Sequence, residues 1–226
     1  MRHLSLPLAL TARLSPVVVL AAAGWALTSG PFAPASDAEP QARAQNQEQT
    51  ENKSASAPST SAASKTYTAA PAPCGSVAAK TVTSLVPGAK KEGKEIPSTD
   101  TKLRRTCSWN ALKGYDYRWL DVSFEIKETE EAAQQAFKDR IADKSGGGDV
   151  PGVGDAGYSV VNLTTEDKQE TREGVVLVRV SNALVVVTYN GSDFESKKAP
   201  STDEINKGAI KAAKDAVAAL GNGQKG

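Results

Sequence analysis

The only two cysteines of the chain, Cys74 and Cys107, restrict its fold more than any other feature of the sequence. They lie 33 residues apart, and the N-terminus predicts export to an oxidising compartment, where a pair of thiols becomes a disulfide. We therefore predict a Cys74–Cys107 bond that closes this loop. Two buried free thiols are the alternative. A metal site is disfavoured, because zinc takes four ligands and the only histidine of the chain is His3.

The export prediction depends on residues 1–35. Arg2 and Arg13 precede an apolar run, Leu14 to Leu27, and small residues follow it up to Ala35. This pattern is typical of a secretory signal peptide. The run is shorter than the ~20 residues that span a bilayer, so a retained N-terminal membrane anchor is the second interpretation. Either way, the sequence predicts an extracytoplasmic protein, secreted or anchored at the outer face of the plasma membrane.

The rest of the chain divides by composition. Residues 36–70 are mostly Ala, Ser, Thr, Gln and Pro, and such a segment buries too little apolar surface to offset its ordering entropy. We expect a disordered linker there, a globular domain at 71–222 and a disordered tail at 223–226.

Charge and histidine content exclude several classes of function. The formal net charge is +1, and the residues after Ala70 hold equal numbers of Lys/Arg and Asp/Glu, so no basic field is present to bind nucleic acid. The single histidine, His3, excludes histidine-based catalysis in the domain and most zinc chemistry. We predict no catalytic, cofactor-binding or metal-binding residues and no enzymatic activity. A carboxylate-dependent enzyme acting on cell-wall material and a purely structural envelope component are the alternatives.

Hydrophobic periodicity predicts an α+β fold. The expected architecture is a mainly antiparallel sheet of about five strands with two or three packed helices and one disulfide, in the order α-β-β-α-β-β-β-α. Thr129 is a helix N-cap, and Ser201 begins a capping box with Glu204. The expected helices are 75–86, 129–144 and one from Ser201 to Gly221; the expected strands are 103–111, 116–127, 158–163, 173–180 and 183–190. A lysine-rich loop, 89–102, and a charged loop, 164–172, connect some of them.

Residues 152–157 match the pattern G-x-G-x-x-G. A dinucleotide site needs a strand before this motif and a helix after it, whereas a predicted strand follows it here, so we reject that function. The glycines instead predict a tight connection packed closely against the sheet. Asp149, which precedes the motif, and Asp155, which lies within it, are candidates for holding a ligand or a cation.

Alternating aromatic residues, Tyr115, Tyr117 and Trp119, form the other candidate ligand or partner surface. The apolar alternation then changes parity at Leu120, which predicts either a bulge or a strand whose two halves bury different faces. Cross-strand packing of the aromatic rings is the competing interpretation.

Four features together resemble a family of exported actinobacterial proteins, the domain of unknown function numbered 3558. They are Cys74, Cys107, Trp109 and the Gly154-Asp155 turn, in a segment of about residues 71–222. The order of elements is also similar in outline to the extracytoplasmic sensor domains of some mycobacterial receptor kinases. Many family members look like lipoproteins, but this chain lacks the lipid-accepting cysteine. The resemblance implies an antiparallel sheet with packed helices and an envelope location, and it implies no activity.

Taken together, these features predict a binding or accessory, sensor-like module of the cell envelope. Its partner would be an envelope protein, a lipid or a glycan. Contact with the membrane would come only through the N-terminal segment, if that segment is not cleaved.

Overall fold

The computed structural model describes residues 65–222, and seven strands of that region form one antiparallel sheet. The order of the strands across the sheet is β1-β2-β3-β7-β6-β5-β4. Their bounds are β1 Lys94–Ile96, β2 Arg104–Lys113, β3 Asp116–Ile126, β4 Gly148–Asp149, β5 Ala156–Glu166, β6 Gln169–Val180 and β7 Ala183–Asp193.

Three helices complete the described part of the chain: α1 Ala79–Leu85, α2 Glu130–Ala142 and α3 Thr202–Asn222. The predicted caps are present. The Thr129 hydroxyl accepts a hydrogen bond from the Ala132 amide at 3.0 Å, and the Ser201 hydroxyl accepts one from the Glu204 amide at 3.1 Å. Each bond satisfies a donor that the first helical turn would otherwise leave unpaired.

The α+β class, the antiparallel sheet and the disulfide are confirmed, but the expected count of about five strands is wrong. β1 lies inside the predicted lysine-rich loop, and β4 lies between the predicted helix 129–144 and the predicted strand 158–163. The order of elements therefore differs from the predicted one. These strands have three and two residues, which is too short for apolar alternation to mark them.

The predicted loop 164–172 is also wrong, because β5 and β6 continue through it as a hairpin. Asp167 and Lys168 form the turn, with φ of 48° and 68°. Two successive residues with positive φ suit the twist of a two-residue hairpin, but such turns are usually marked by glycine or asparagine. The absence of both residues hid this turn in the sequence.

β3 pairs residue for residue with β2 and β7, so the parity change at Leu120 is not a bulge. Leu120 and Val122 point to one side of the sheet and are fully buried, whereas Tyr117 and Trp119 point to the other side and are half-buried. The second interpretation does not hold either, because residues 122–126 are buried on both faces of the sheet, whereas residues 116–119 are half-buried on both.

We call the side that carries Leu120 the covered face, because α1 and α3 pack on it. Its core contains large strand residues such as Trp109 and Phe124. The facing side of α3 is rich in alanine, and Gly208 lies so close to the sheet that an added Cβ would stand 2.6 Å from the ring of Tyr189. Small side chains thus let a 21-residue helix lie close to the sheet.

The disulfide joins the segment before α1 to β2, with the Cys74 and Cys107 Cα atoms 5.1 Å apart. Gly93, in the left-handed region with φ of 63°, lies directly against this bond and against Trp109. The Trp109 indole donates a hydrogen bond to the Lys91 carbonyl at 3.0 Å. The lysine-rich segment is therefore anchored to the sheet near Lys91 and Gly93, while most of its side chains stay exposed to solvent.

Packing extends to residues that the sequence assigned to the linker. Tyr67 and Ala70 are buried. The fully buried Asn182 side chain accepts a hydrogen bond from the Tyr67 amide at 2.7 Å and donates one to the Tyr67 carbonyl at 2.8 Å. Of the predicted linker, residues 65–70 thus belong to the folded domain.

The predictions for residues 1–35, 36–64 and 223–226 lie outside the described residues. Within residues 65–222, no helix combines the length and the apolar composition needed to cross a membrane.

Candidate functional site

The side of the sheet opposite the covered face, which we call the open face, holds the candidate site. α2 packs on one end of it, where Ala133 and Phe137 contact Leu177 and Leu184. The other end, which carries Tyr117 and Trp119 of β3, remains partly accessible. The open face thus has a helix-covered end and an accessible end, and a groove begins where the helix stops.

This groove has a volume of about 540 Å³, which is within the range of small-molecule binding sites in proteins. Four side chains of three adjacent strands form its apolar floor: Val160, Val175, Leu177 and Val186. Ile141 of α2 and Tyr158 of β5 add apolar walls. The polar residues that line the groove are three cationic ones, Arg104, Arg140 and Lys144, and three anionic ones, Glu125, Asp139 and Asp143.

Glu125 is the buried charge of the groove, and its side chain is 9% exposed. Arg140 donates a hydrogen bond to it at 2.6 Å, while Lys127 lies 3.4 Å and Arg104 4.0 Å from its carboxylate oxygens. Burial acts to raise the pKa of Glu125, but the bond and charge of Arg140, with the charges of Lys127 and Arg104, outweigh burial and hold the pKa below its usual range. This carboxylate is an ionised anchor for cations and is poorly suited to donate a proton at neutral pH.

The predicted aromatic residues come together at the accessible end of the open face. The rings of Tyr117 and Trp119 meet edge to face with centroids 6.3 Å apart. The Trp119 indole donates a hydrogen bond to Asp121 at 2.7 Å, which fixes the orientation of the ring. Burial and the negative charge of Asp121 raise the pKa of Tyr117. Tyr115 lies in the turn before β3 and is 57% exposed.

Sequence analysis missed one member of this cluster, Phe194. Its ring stacks on Tyr117 with a centroid distance of 5.9 Å and is 47% exposed. Phe194 follows the end of β7, and its amide donates a hydrogen bond to the Tyr115 carbonyl at 2.9 Å. A lone phenylalanine after a strand gives no sequence signal, because only the β3–β7 pairing brings it to Tyr117.

The two candidate aspartates do not join the aromatic cluster. Asp149 is exposed on β4, four strand positions from β3, or about 19 Å away. Asp155 accepts a hydrogen bond from the Ser181 amide at 2.6 Å and lies 3.2 Å from Arg179. It therefore ties the connection between β4 and β5 to the β6–β7 turn, which is a structural role.

The connection between β4 and β5, which contains the glycine-rich motif, is tight and packs closely against the sheet, as predicted. Gly152 and Gly154 have φ of 73° and 65°. A Cβ at Gly154 would stand 2.5 Å from a Val178 methyl group and 2.6 Å from the Arg179 carbonyl, so the chain passes too close to the sheet for any larger residue. A strand follows the motif, and no helix N-terminus is present there to bind phosphate. Within residues 65–222, no group of three or more potential metal ligands is found.

No family model and no curated protein matches the chain. A crystal structure at 1.50 Å resolution of a protein from Bacteroides thetaiotaomicron VPI-5482 shares 9% sequence identity and has a TM-score of 0.30. The match covers 49% of this chain and 50% of that chain. Similarity at this level supports no inference about fold or function, and the resemblance to the actinobacterial family stays a prediction.

Proposed function

We propose that the domain is a non-enzymatic binding module of an exported envelope protein, and that it binds a small, largely apolar molecule in the groove beside α2. One observation carries this proposal: an accessible groove of about 540 Å³ has a floor of valine and leucine side chains. A concave, mostly apolar pocket of this size with a few polar side chains at its rim is the usual form of a small-molecule binding site.

The balance of charges around the groove supports a ligand that is recognised mainly by apolar contact. Three cationic and three anionic side chains line it, so their formal charges balance. Glu125 and Arg140 already pair with each other. We therefore expect that binding depends little on salt, because screening acts mainly on attraction between net charges.

The same electrostatics support a binding function over catalysis. The only histidine is His3, and the buried acid of the groove, Glu125, has a lowered pKa. A glycosidase-type mechanism needs one carboxylic acid with a raised pKa opposite a second carboxylate. The interactions around Glu125 favour the opposite protonation state.

The disulfide supports the location that this proposal assumes. Cys74 and Cys107 are bonded, and structural disulfides persist in oxidising compartments. With the signal-like segment predicted at residues 1–35, this supports an extracytoplasmic site of action. A ligand of the groove would then come from the envelope or the medium.

The test measures binding of the neutral apolar probe N-phenyl-1-naphthylamine to the full chain purified with its disulfide intact. We expect saturable binding by the wild type. Val175→Trp should weaken it by about tenfold or more, because the larger ring fills the groove. Thr164→Trp is the matched control, since Thr164 is exposed on β5 and does not line the groove.

Equal affinity of the wild type and a folded Val175→Trp variant would refute the proposal. If that variant does not fold, NMR contacts between the probe and the valine methyl groups of the wild type decide the question. Contacts to Val160, Val175 and Val186 support the groove, and their absence in a bound complex excludes it.

A further inference from the structure

A row of polar side chains crosses the accessible end of the open face, just beyond the groove. Its five members lie on neighbouring strands and are paired in register: Asn110 of β2, Trp119 of β3, Asn190 of β7, Glu173 of β6 and Asn162 of β5. Because paired residues of antiparallel strands point to the same side, all five side chains share the open face. We call this set the asparagine row.

Three asparagines in one row of a sheet run against strand propensity. Asparagine is depleted in strands, where β-branched and aromatic residues pack better. Several residues of low strand propensity at one place in a sheet are typical of a functional surface. The core does not require these residues, since Asn110 and Asn162 are exposed and Asn190 is half-buried.

The polar groups of the row are available to a ligand. Within residues 65–222, the side chains of Asn110, Asn162, Asn190 and Glu173 make no hydrogen bond or ion pair. Trp119 is the exception, since its indole nitrogen donates to Asp121 while its ring contacts Tyr117. The row thus combines a positioned aromatic ring with three amides, each able to donate and to accept hydrogen bonds.

We propose that the asparagine row binds a glycan, a chain of several uncharged or amino sugar rings lying across the strands. Sugar hydroxyls both donate and accept hydrogen bonds, as the asparagine amides do, and the C–H face of a pyranose ring packs flat on an indole. Four strand spacings make the row about 19 Å long, which suits an oligosaccharide better than a single sugar.

The charge of the asparagine row distinguishes between the classes of ligand that could bind there. The row holds one carboxylate, Glu173, and no cation, so phosphorylated polymers and nucleic acids are repelled, not attracted. A protein interface would bury apolar residues at its centre and leave few amides unpaired. A neutral or amino sugar chain satisfies the amides and places no negative charge beside Glu173.

The experiment titrates the full, disulfide-bonded chain with two probes, the tetramers of N-acetylglucosamine and of glucosamine. Calorimetry gives the affinity, and the NMR signals of the asparagine side-chain amides give the location. We expect at least one tetramer to bind with shifts at Asn110, Asn162 and Asn190. Asn190→Ala should weaken binding by about tenfold, the loss of roughly one or two hydrogen bonds. Asn222→Ala is the matched control, because Asn222 is exposed at the end of α3.

The proposal is overturned if neither tetramer binds the wild type at millimolar concentration, or if a folded Asn190→Ala variant binds as tightly as the wild type. Shifts confined to residues outside the row overturn it as well. Asn190 does not line the groove, so the Asn190→Ala variant should still bind the naphthylamine probe. Loss of sugar binding at the asparagine row can therefore be distinguished from loss of probe binding in the groove.

Discussion

Removing the disulfide should cost the domain a large part of its stability. The bond closes a loop between residues separated by 33 positions. Opening it by Cys74→Ala with Cys107→Ala frees the unfolded chain from that loop. Cys107 is fully buried beside Trp109, but the two alanines remove only the sulfur atoms, so most of the effect should come from the lost cross-link.

The magnitude follows from the loop length. The chain-entropy relation gives about 3.7 kcal/mol for a loop of 33 residues at 25 °C. An unfolding entropy of about 2.1 cal/mol/K per residue, summed over residues 65–222, converts this to a fall in Tm of roughly 11 °C. Since domains are typically stable by about 5–15 kcal/mol, the variant should remain folded at 25 °C with about 1–11 kcal/mol of stability left.

Urea denaturation of three samples separates the cross-link from packing. These are the oxidised wild type, the reduced wild type and the double alanine variant. We expect the last two to agree within about 1 kcal/mol and to lie about 3–4 kcal/mol below the first. A reduced wild type that loses less than about 1 kcal/mol would refute the loop-entropy reasoning. A variant much less stable than the reduced wild type would show that packing of the sulfurs dominates.

Three further predictions concern single side chains. Glu125→Gln should lower the free energy of unfolding by about 1.5–3 kcal/mol, as measured by urea denaturation. Because the folded-state pKa of Glu125 is lowered, its contribution to stability is present above the unfolded-state pKa and is lost as the pH falls. The stability of the variant should therefore depend less on pH on the acid side, and an unchanged slope would contradict this. Tyr189→Phe removes a 2.8 Å hydrogen bond to the Leu85 carbonyl at a cost of about 1 kcal/mol. Burial raises the pKa of Tyr189 to about 12 from an ordinary 10.0, so wild-type stability should fall between these pH values, and the fall should be smaller in the variant. Gly93→Ala should lower the free energy of unfolding by about 1–3 kcal/mol more than Gly114→Ala does. Both glycines have positive φ, but only a Cβ at Gly93 would meet other atoms, those of Cys107 and Trp109 at 2.6 Å. Equal Tm values of the two variants would contradict this crowding.

The parts of the fold that depend on local sequence could be predicted. Thr129 and Ser201 mark the starts of helices because a cap is a bond between residues three apart. The disulfide prediction followed from the presence of two cysteines and from the predicted export signal. In contrast, β1 exists only because Glu95 and its neighbours pair with β2, and nothing in a three-residue segment predicts its partner.

The candidate site shows the same limit. Tyr117 and Trp119 were found because they alternate within one strand. Phe194 and the asparagine row were missed because their members meet only through the register of several strands. Asp149 and Asp155 were candidates because they lie at the glycine-rich motif in the sequence, yet Asp155 holds a turn together and Asp149 lies at the far edge of the sheet.

The attachment of Tyr67 to Asn182 has a mechanical consequence. The chain that precedes the domain joins it at the β6–β7 turn, where Lys65 and Thr66 also lie beside Glu128 and Ser181. Asn190 stands eight residues further along β7, or about 27 Å from that turn. A pull transmitted through the N-terminal segment therefore loads one end of the sheet first, and the surface proposed to hold sugar lies at the end that bears the load last.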